Sequence, residues 1–254
     1  MQWLFTEPEQ GVFNFTEGDY TADKGKKHGL LLRCHALVWH SQLAPFVHEV
    51  AWTPETLRAA IVSHITEVAG YYKGRCYAWD VVNEALEEDG TYRKSVFYNV
   101  LGEEYIKLAF KTAAEVDPHA KLYYNDYNIE WPSKKTEAAK KIVKMLRDED
   151  IKIDGVGLQA HLTAEGSLTL DQHIDAIKGF ADVGVEVALT ELDIRLKEPA
   201  TETNLALQKE KYKNVSIHRF PSSIVCKSNR TGCRRLRPSQ GLHRHHPLGF
   251  LRPL

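Results

Sequence analysis

The chain has 254 residues, of which 43% are hydrophobic and 26% are charged. This length suits one large domain, and the composition is that of an ordinary soluble globular protein. No long apolar run that would span a membrane is present, and the start MQWLFTEPEQ lacks the basic and apolar regions of a signal peptide.

Up to Val215, short apolar runs alternate with longer amphipathic segments, a pattern typical of parallel βα units. Thr53 is expected to cap the first long helix, with Pro54 at its first position. In chain order, the predicted elements are strand GLLLRCHALVW, helix PETLRAAIVSHITEVAGYYKG, strand CYAWDVVNEA, helix EEYIKLAFKTAAEVD, strand KLYYNDYN, helix SKKTEAAKKIVKMLRDED, strand IDGVGLQAHL, helix SLTLDQHIDAIKGFADVG and strand EVALTELDI.

Every predicted strand is mostly apolar and ends in polar residues. The polar ends are His35 and His40, Asn83 and Glu84, Asn125 and Asp126, Gln159 and His161, and Glu191 and Asp193. A doubly wound sheet gathers its ligand groups at one crevice, whereas polar groups after all successive strands indicate a ring. The pattern therefore predicts an α/β fold of the (β/α)8 TIM barrel type, with its active site at the carboxyl ends of the strands.

Two of these strand ends carry a glutamate, Glu84 and Glu191. Two carboxylates that face one cleft are the minimum equipment for cleaving a glycosidic bond: one donates a proton and the other attacks the sugar or activates water. The alternative is that both are solvated loop acids, as Glu87, Glu88 and Asp89 are expected to be. The position of Glu84 directly after WDVVN, at a barrel rim, favours catalysis.

Five ordered blocks, LLRCHALVWHSQL, WDVVNEAL, YYNDYN, GVGLQAHL and TELDI, resemble glycoside hydrolase family 10, the retaining endo-β-1,4-xylanases. The resemblance covers Gln2 to about Val215. It implies a secreted, extracellular enzyme that cuts xylan polysaccharide or xylo-oligosaccharides, with no cofactor and no metal. It gives no reason to expect a nucleic-acid or membrane partner, and a monomer is expected.

The resemblance also implies roles for individual residues. Glu84 matches the family's acid/base and Glu191 its nucleophile. His161 is expected to donate a hydrogen bond to Glu191, and Asp193 to orient His161. Asn83 matches the residue that binds the sugar 2-hydroxyl, although it could instead cap a loop, and His161 could be a packed core histidine.

The remaining candidate binding residues lie on the two sides of the expected cleft. The glycone side is assigned to His35, Trp39 and Gln42, and the aglycone side to Asn125, Tyr127 and Asn128. Gln159 is a further substrate-binding candidate beside His161. Without the motif, Trp39 is as readily a core residue as a sugar platform, and Trp79 and Trp131 are left as core or rim.

The chain also departs from the family pattern. Strand 1, most of strand 2 and strand 8 of the barrel have no counterpart, so the barrel is expected to be incomplete, with exposed edges. The family has Lys where Gln2 stands. Cys34 replaces a Gly, a change expected to strain the strand or crowd His35. Trp131 is the last tryptophan, so the strand-8 tryptophan is absent.

The last 39 residues, 216–254, carry seven Arg, one Lys and no Asp or Glu, a net charge of +8 against −9 for residues 1–215. One interpretation is a basic tail that binds nucleic acid or membrane. The favoured one is sequence foreign to the fold, because the change at Val215 is abrupt. We therefore expect a partial catalytic barrel over 1–215 and a non-homologous, disordered tail over 216–254.

The four cysteines, Cys34, Cys76, Cys226 and Cys233, are too few for a disulfide scaffold and fit no common metal spacing. Three alternatives to an endo-xylanase stay open: a catalytically impaired carbohydrate-binding remnant, a related barrel glycosidase that cleaves β-glucan, and a nucleic-acid-binding role for the tail. The WHSQL block argues against the second, and the scarcity of aromatics in the tail argues against the third.

Overall fold

The computed structural model describes residues 1–216. Apart from its first residue, the basic tail predicted over 216–254 lies outside the described residues. Within them, no helix is both long enough and apolar enough to cross a membrane.

Nine helices and seven strands are present in the described part of the chain. They are α1 (Trp3–Thr6), α2 (Thr16–Lys27), β1 (Leu32–Trp39), α3 (Pro45–Glu49), α4 (Pro54–Tyr71), β2 (Cys76–Asn83), α5 (Val96–Leu101), α6 (Glu104–Val116), β3 (Lys121–Asp126), α7 (Lys134–Asp148), β4 (Gly155–Leu158), β5 (His161–Thr163), α8 (Leu170–Asp182), β6 (Glu186–Leu189), β7 (Asp193–Arg195) and α9 (Glu202–Ser216).

Five parallel strands form the main sheet in the order β1-β2-β3-β4-β6, so each strand pairs with the next long strand of the chain. Sequential parallel neighbours separated by helices are the arrangement expected of a βα barrel wall. The register aligns the strand ends: Asn83 pairs with Trp39 and with Asn125, and Asn125 pairs with Gly157. Polar residues that end these strands therefore meet along one rim.

The two last predicted strands are each broken in two. β4 and β5 come from IDGVGLQAHL, and β6 and β7 come from EVALTELDI; β5 and β7 pair with each other in a separate small sheet. The breaks fall at Gln159–Ala160 and Thr190–Leu192, where Ala160 takes a left-handed φ of +61°. The sequence alone does not show these breaks, because the polar residues from Gln159 to His161 and from Glu191 to Asp193 equally fit the polar end of a single strand.

Three of the long helices begin at a residue whose side-chain hydroxyl caps the first turn. Thr53 caps α4 as predicted: its hydroxyl accepts from the Thr56 amide at 3.2 Å, in a capping box with Pro54 at the first position. The hydroxyls of Ser133 and Thr169 also cap α7 and α8 by accepting from backbone amides of the first turn. The helices α4, α6 and α8 pack against strands of the sheet, and Trp79 of β2 is fully buried.

Cys34 and Cys76 form a disulfide between β1 and β2, with their Cα atoms 5.7 Å apart. Cys34, which was expected to strain the strand or crowd His35, is bonded through its side chain to the neighbouring strand. Both cysteines are buried.

Candidate active site

The two candidate carboxylates both lie at the carboxyl ends of sheet strands. Glu84 directly follows β2, and Glu191 follows β6 by two residues. The Glu84 side chain is 13% exposed and that of Glu191 is 34% exposed. Both are reachable from solvent, yet each has its oxygens engaged by neighbouring side chains.

Glu84 is held by two amides and faces a histidine. Its Oε1 accepts from Gln159 Nε2 at 3.0 Å and from Asn83 Nδ2 at 3.2 Å. Its Oε2 lies 3.9 Å from Nδ1 of His40. Burial and the nearby Arg93 lower the pKa of His40, which favours a neutral imidazole beside this carboxyl.

Glu191 is held by one amide and one imidazole. Its Oε1 accepts from Asn125 Nδ2 at 3.0 Å, and its Oε2 lies 3.2 Å from His161 Nε2. Both oxygens of the Glu191 carboxyl group are therefore held in a fixed orientation, which is what an attacking carboxylate needs.

A shared amide connects the two glutamates. Asn83 Oδ1 accepts from Asn125 Nδ2 at 2.9 Å and from Gln159 Nε2 at 3.3 Å. Asn125 also contacts Glu191, and Gln159 also contacts Glu84. All three amides are buried, so the network links the carboxylates through groups that have few alternative partners.

His161 lies between two carboxylates, as expected. Its Nδ1 is 2.6 Å from Asp193 Oδ2 and its Nε2 is 3.2 Å from Glu191 Oε2. Burial, which lowers the pKa of His161, is outweighed by the hydrogen bond and charge of Asp193 and by Glu191, so the pKa is raised. Both ring nitrogens can donate only in the imidazolium form, which the raised pKa favours.

The predicted glycone-side residues lie along and just beyond β1: His35 within the strand, Trp39 at its last position and Gln42 three residues later. The His35 Nδ1 is 3.0 Å from Asp80 Oδ2, and its ring meets Trp39 edge-on at 5.6 Å between centroids. The Trp39 indole nitrogen is buried and has no hydrogen-bond partner among the described residues. Gln42 is exposed and takes a left-handed φ of +47°.

The predicted aglycone-side residues separate into two kinds. Asn125 is fully buried, and its amide binds Asn83 and Glu191 instead of facing out along a cleft. Tyr127 and Asn128 are partly exposed.

The two tryptophans that were left as core or rim differ in burial. Trp79 lies in the core, and Trp131 is half-buried against a small apolar cluster around Leu162.

Tyr127 is supported by cations that the sequence analysis did not single out. The Lys135 ammonium lies 3.5 Å from the centroid of the Tyr127 ring, and Arg93 donates to its hydroxyl at 2.9 Å. Arg93 also donates to the Glu84 carbonyl at 3.0 Å. The aromatic ring and the backbone of the acid candidate are thus fixed by one guanidinium.

A buried ion pair lies below this ring. Lys135 is 1% exposed, and its Nζ is 3.0 Å from Oδ1 of the fully buried Asp126 and 3.1 Å from Oε1 of Glu88. Burial raises the pKa of Asp126 to about 7, against the opposing effects of Lys135 and the Tyr124 hydroxyl. Asp126 immediately follows Asn125, so the Lys135–Asp126 ion pair supports the end of β3, which carries the Asn125 amide.

The backbone is unusual at the same rim. Five non-glycine residues among those described have φ between +47° and +61°, and four of them, Gln42, Glu84, Asn128 and Ala160, border the site. Such residues are uncommon and concentrate at functional sites. Glu130 supports one of them, since its buried carboxylate accepts from the Ala160 amide at 2.7 Å.

Gly157 leaves the space that the side-chain amide of Asn125 occupies. A Cβ on Gly157 would lie 2.8 Å from Thr190 Cγ2, and it would overlap the Asn125 amide oxygen. Thr190 donates to that oxygen at 2.8 Å. Sequence reasoning missed Gly157, Thr190, Glu130, Arg93 and Lys135; the only available signal was that Gly157 and Thr190 stand within motif blocks.

A pocket of about 410 Å³ opens beside His161. Its lining combines polar, basic, apolar and aromatic side chains, among them Asn128, Trp131, His161, Leu168, Gln172 and Lys211. No group of metal-binding side chains occurs among residues 1–216.

Comparison with known proteins places the chain in a family. The model of glycosyl hydrolase family 10 matches residues 1–225. Endo-1,4-beta-xylanase A of Humicola insolens is 76% identical over 214 residues, which is 84% of this chain and 57% of that protein. Endo-1,4-beta-xylanase A of Fusarium oxysporum f. sp. lycopersici is 46% identical over 222 residues, 85% of this chain and 68% of that protein.

Solved structures show the same similarity. The family 10 xylanase of Bispora sp. MEY-1, solved with xylobiose, matches with a TM-score of 0.82 and 40% identity over 85% of this chain and 67% of that one. The Penicillium canescens endo-1,4-beta-xylanase matches with a TM-score of 0.82 and 41% identity, over 84% of this chain and 66% of that one. The chain therefore spans between about half and two thirds of the length of these relatives.

Proposed function

The chain belongs to glycosyl hydrolase family 10, and on that basis we propose that it carries the catalytic pair of a retaining endo-1,4-β-xylanase. The observation that supports this most is the amide network around Asn83. Its side-chain oxygen accepts from Gln159, which donates to Glu84, and from Asn125, which donates to Glu191. A pair of carboxylates on a common rim is what hydrolysis of a glycosidic bond requires.

In the first step, Glu191 attacks the anomeric carbon while Glu84 donates its proton to the leaving oxygen. The products are a glycosyl ester on Glu191 and a free alcohol on the departing sugar. The different surroundings fit these roles: Glu191 faces an imidazolium and an amide donor, whereas Glu84 faces amides and a neutral His40.

In the second step, Glu84, now ionised, takes a proton from water, and the water oxygen attacks the anomeric carbon as its bond to the Glu191 oxygen breaks. Glu191 leaves as a carboxylate, so the anomeric configuration is retained overall. Glu84 gave its proton to the leaving group in the first step, so it is available as the base in the second. His161, oriented by Asp193, stabilises the returning charge.

The substrate is proposed to be the β-1,4-xylose backbone of xylan or its oligosaccharides. His35, Trp39 and Gln42 would bind the glycone side and Tyr127 the aglycone side, while Asn83 would bind the sugar 2-hydroxyl. Asn125 and Gln159, which donate to Glu191 and Glu84, would orient the carboxylates. No step in this mechanism needs a cofactor.

The five-stranded sheet is proposed to be part of an eight-stranded barrel, with family strand 1, most of strand 2 and strand 8 outside the described residues. Residues 1–215 would form the catalytic part and 216–254 a separate basic segment. The Cys34–Cys76 disulfide supports an extracellular location, because disulfides persist in oxidising compartments. A monomer that binds neither nucleic acid nor membrane is proposed.

Release of reducing sugar from xylan and from β-glucan tests the proposal. We expect the chain to act on xylan in preference, and both Glu84→Gln and Glu191→Gln to lose at least about 10³-fold in activity. Glu87→Gln is the matched control, since Glu87 is a half-exposed acid paired with Arg93. Binding of xylo-oligosaccharides without turnover would favour the impaired remnant, and a preference for β-glucan would favour the other glycosidase.

A further inference from the structure

The tripeptide Asn14–Phe15–Thr16 lies on the molecular surface and takes no part in the proposed catalysis. Asparagine followed by any residue except proline and then by threonine or serine is the acceptor pattern for N-linked glycans. The pattern is short and occurs by chance, so its surroundings decide whether it can serve as a site.

The surroundings present Asn14 outward. Its neighbours Phe13 and Phe15 stack on each other at 6.1 Å, and Phe15 stacks on Tyr71 of α4 at 3.8 Å between ring centroids. The two rings hold this segment on the protein, while Asn14 between them is exposed. Its backbone amide donates to the Thr6 carbonyl at 3.0 Å, which fixes the segment in a non-helical conformation ahead of α2.

The side-chain amide of Asn14 is oriented with its nitrogen free. Its Oδ1 accepts from the Thr16 backbone amide at 3.0 Å, the short-range contact of an Asx turn. Its Nδ2 has no acceptor among the described residues. A glycan attached to this nitrogen would therefore replace no contact of the folded protein, and its bulk would extend into solvent.

A second tripeptide of this type provides an internal comparison. Asn214–Val215–Ser216 forms the last turn of α9, where Asn214 is half-buried and Val215 is 2% exposed in the apolar cluster around Leu162. A glycan there would compete with that packing. A third, Asn229–Arg230–Thr231, lies outside the described residues.

We propose that Asn14 is an N-glycosylation site, modified when the chain enters a eukaryotic secretory pathway; this rests on the extracellular location proposed above. The donor is a lipid-linked oligosaccharide diphosphate. A bond forms between Asn14 Nδ2 and C1 of the first sugar as the C1–oxygen bond to the diphosphate breaks. The diphosphate leaves with the bonding electrons, and the amide proton passes to a base of the transferase.

The test is secretion of the full chain from yeast behind a cleavable leader, followed by enzymatic release of glycans in ¹⁸O-water. Release converts a glycosylated asparagine to ¹⁸O-labelled aspartate, which peptide mass spectrometry locates. We expect the label at Asn14. Thr16→Ala, which keeps the Asn14 side chain, should abolish it, and Thr16→Ser should retain it.

An unlabelled Asn14 peptide in secreted protein would overturn the proposal, as would a label at Asn14 that survives Thr16→Ala. Xylan hydrolysis is measured on the same preparations. Glycan occupancy is read by mass whatever the activity, so failure of the glycosylation site and failure of the xylanase assignment give different results.

Discussion

The amide nitrogen of Asn125 lies 3.0 Å from Oε1 of Glu191. The same nitrogen donates to Asn83 at 2.9 Å, and the amide oxygen accepts from Thr190. Every polar atom of this buried amide is thus engaged, which fixes its orientation. The position of the nucleophile candidate therefore depends on Asn125 and on Thr190, neither of which is assigned a contact with the sugar in the proposed mechanism.

The absence of a side chain at position 157 should be essential for this orientation. In Gly157→Ala, the new Cβ would overlap the Asn125 amide oxygen and force it away from Thr190. We expect kcat/KM on xylan to fall about 10²-fold, since a displacement of about 1 Å at a catalytic group has such effects. Gly25→Ala is the control, because its Cβ would meet nothing nearer than 4.0 Å. Equal activity of both variants would contradict the positioning role.

His161 should titrate above its ordinary range because of Asp193. NMR detection of the imidazole should show that Asp193→Asn lowers the pKa of His161, while Asp182→Asn, a change at an exposed helix residue, does not. Because folding raises the pKa of His161, the protonated form of this side chain stabilises the folded state. The contribution of the pair to stability is therefore full below the unfolded-state pKa and is lost as pH rises through the folded-state pKa. A pKa that does not respond to Asp193→Asn would contradict this pairing.

Lys135 should matter more for stability than its exposed neighbour Lys134. Lys135→Met leaves the Asp126 carboxylate buried without its cation, which costs roughly 3–5 kcal/mol. Thermal unfolding should show a large fall in Tm for Lys135→Met and almost none for Lys134→Met.

The loss caused by Lys135→Met should depend on pH. Burial raises the pKa of Asp126, and removing the ammonium takes away an effect that opposes this rise. The protonated, neutral Asp126 then suits the folded state, so the deficit should be smaller at pH 5 than at pH 8. A deficit that is independent of pH would mean that Asp126 is not the group left unpaired.

The Cys34–Cys76 bond should add stability without entering the chemistry. It joins residues 42 positions apart, and closing a loop of that length stabilises by about 4 kcal/mol in the chain-entropy account. Cys34→Ala combined with Cys76→Ala should lower Tm and leave xylan hydrolysis at low temperature unchanged. Titration of four free thiols in the unreduced, denatured parent would show that the bond does not form.

The strands and the two carboxylates could be predicted because their signals are local. An apolar run that ends in Asn83–Glu84 or Thr190–Glu191 predicts a strand, and its polar end predicts the rim of the barrel. The supporting residues could not be predicted in this way. Lys135 stands in the basic run SKKTEAAKK, and only the fold brings it beneath Tyr127.

The disulfide and the strand breaks escaped prediction for the same reason. Cys34 and Cys76 become partners because β1 and β2 pair in one particular register, which depends on the whole sheet. The break at Ala160 depends on Glu130, a carboxylate 30 residues away that binds its amide. Long-range partners decide both features, and periodicity carries no information about them.

The most direct test of the central claim is the anomeric configuration of the azide products formed by Glu84→Ala and Glu191→Ala, read by NMR with an activated aryl xylobioside. If Glu191 is the nucleophile and Glu84 the acid/base, azide should occupy the vacated face in Glu191→Ala and give the α-glycosyl azide. In Glu84→Ala, azide should attack the glycosyl ester and give the β-glycosyl azide. Exchanged configurations, or variants that turn over like the parent without azide products, would contradict the assignment.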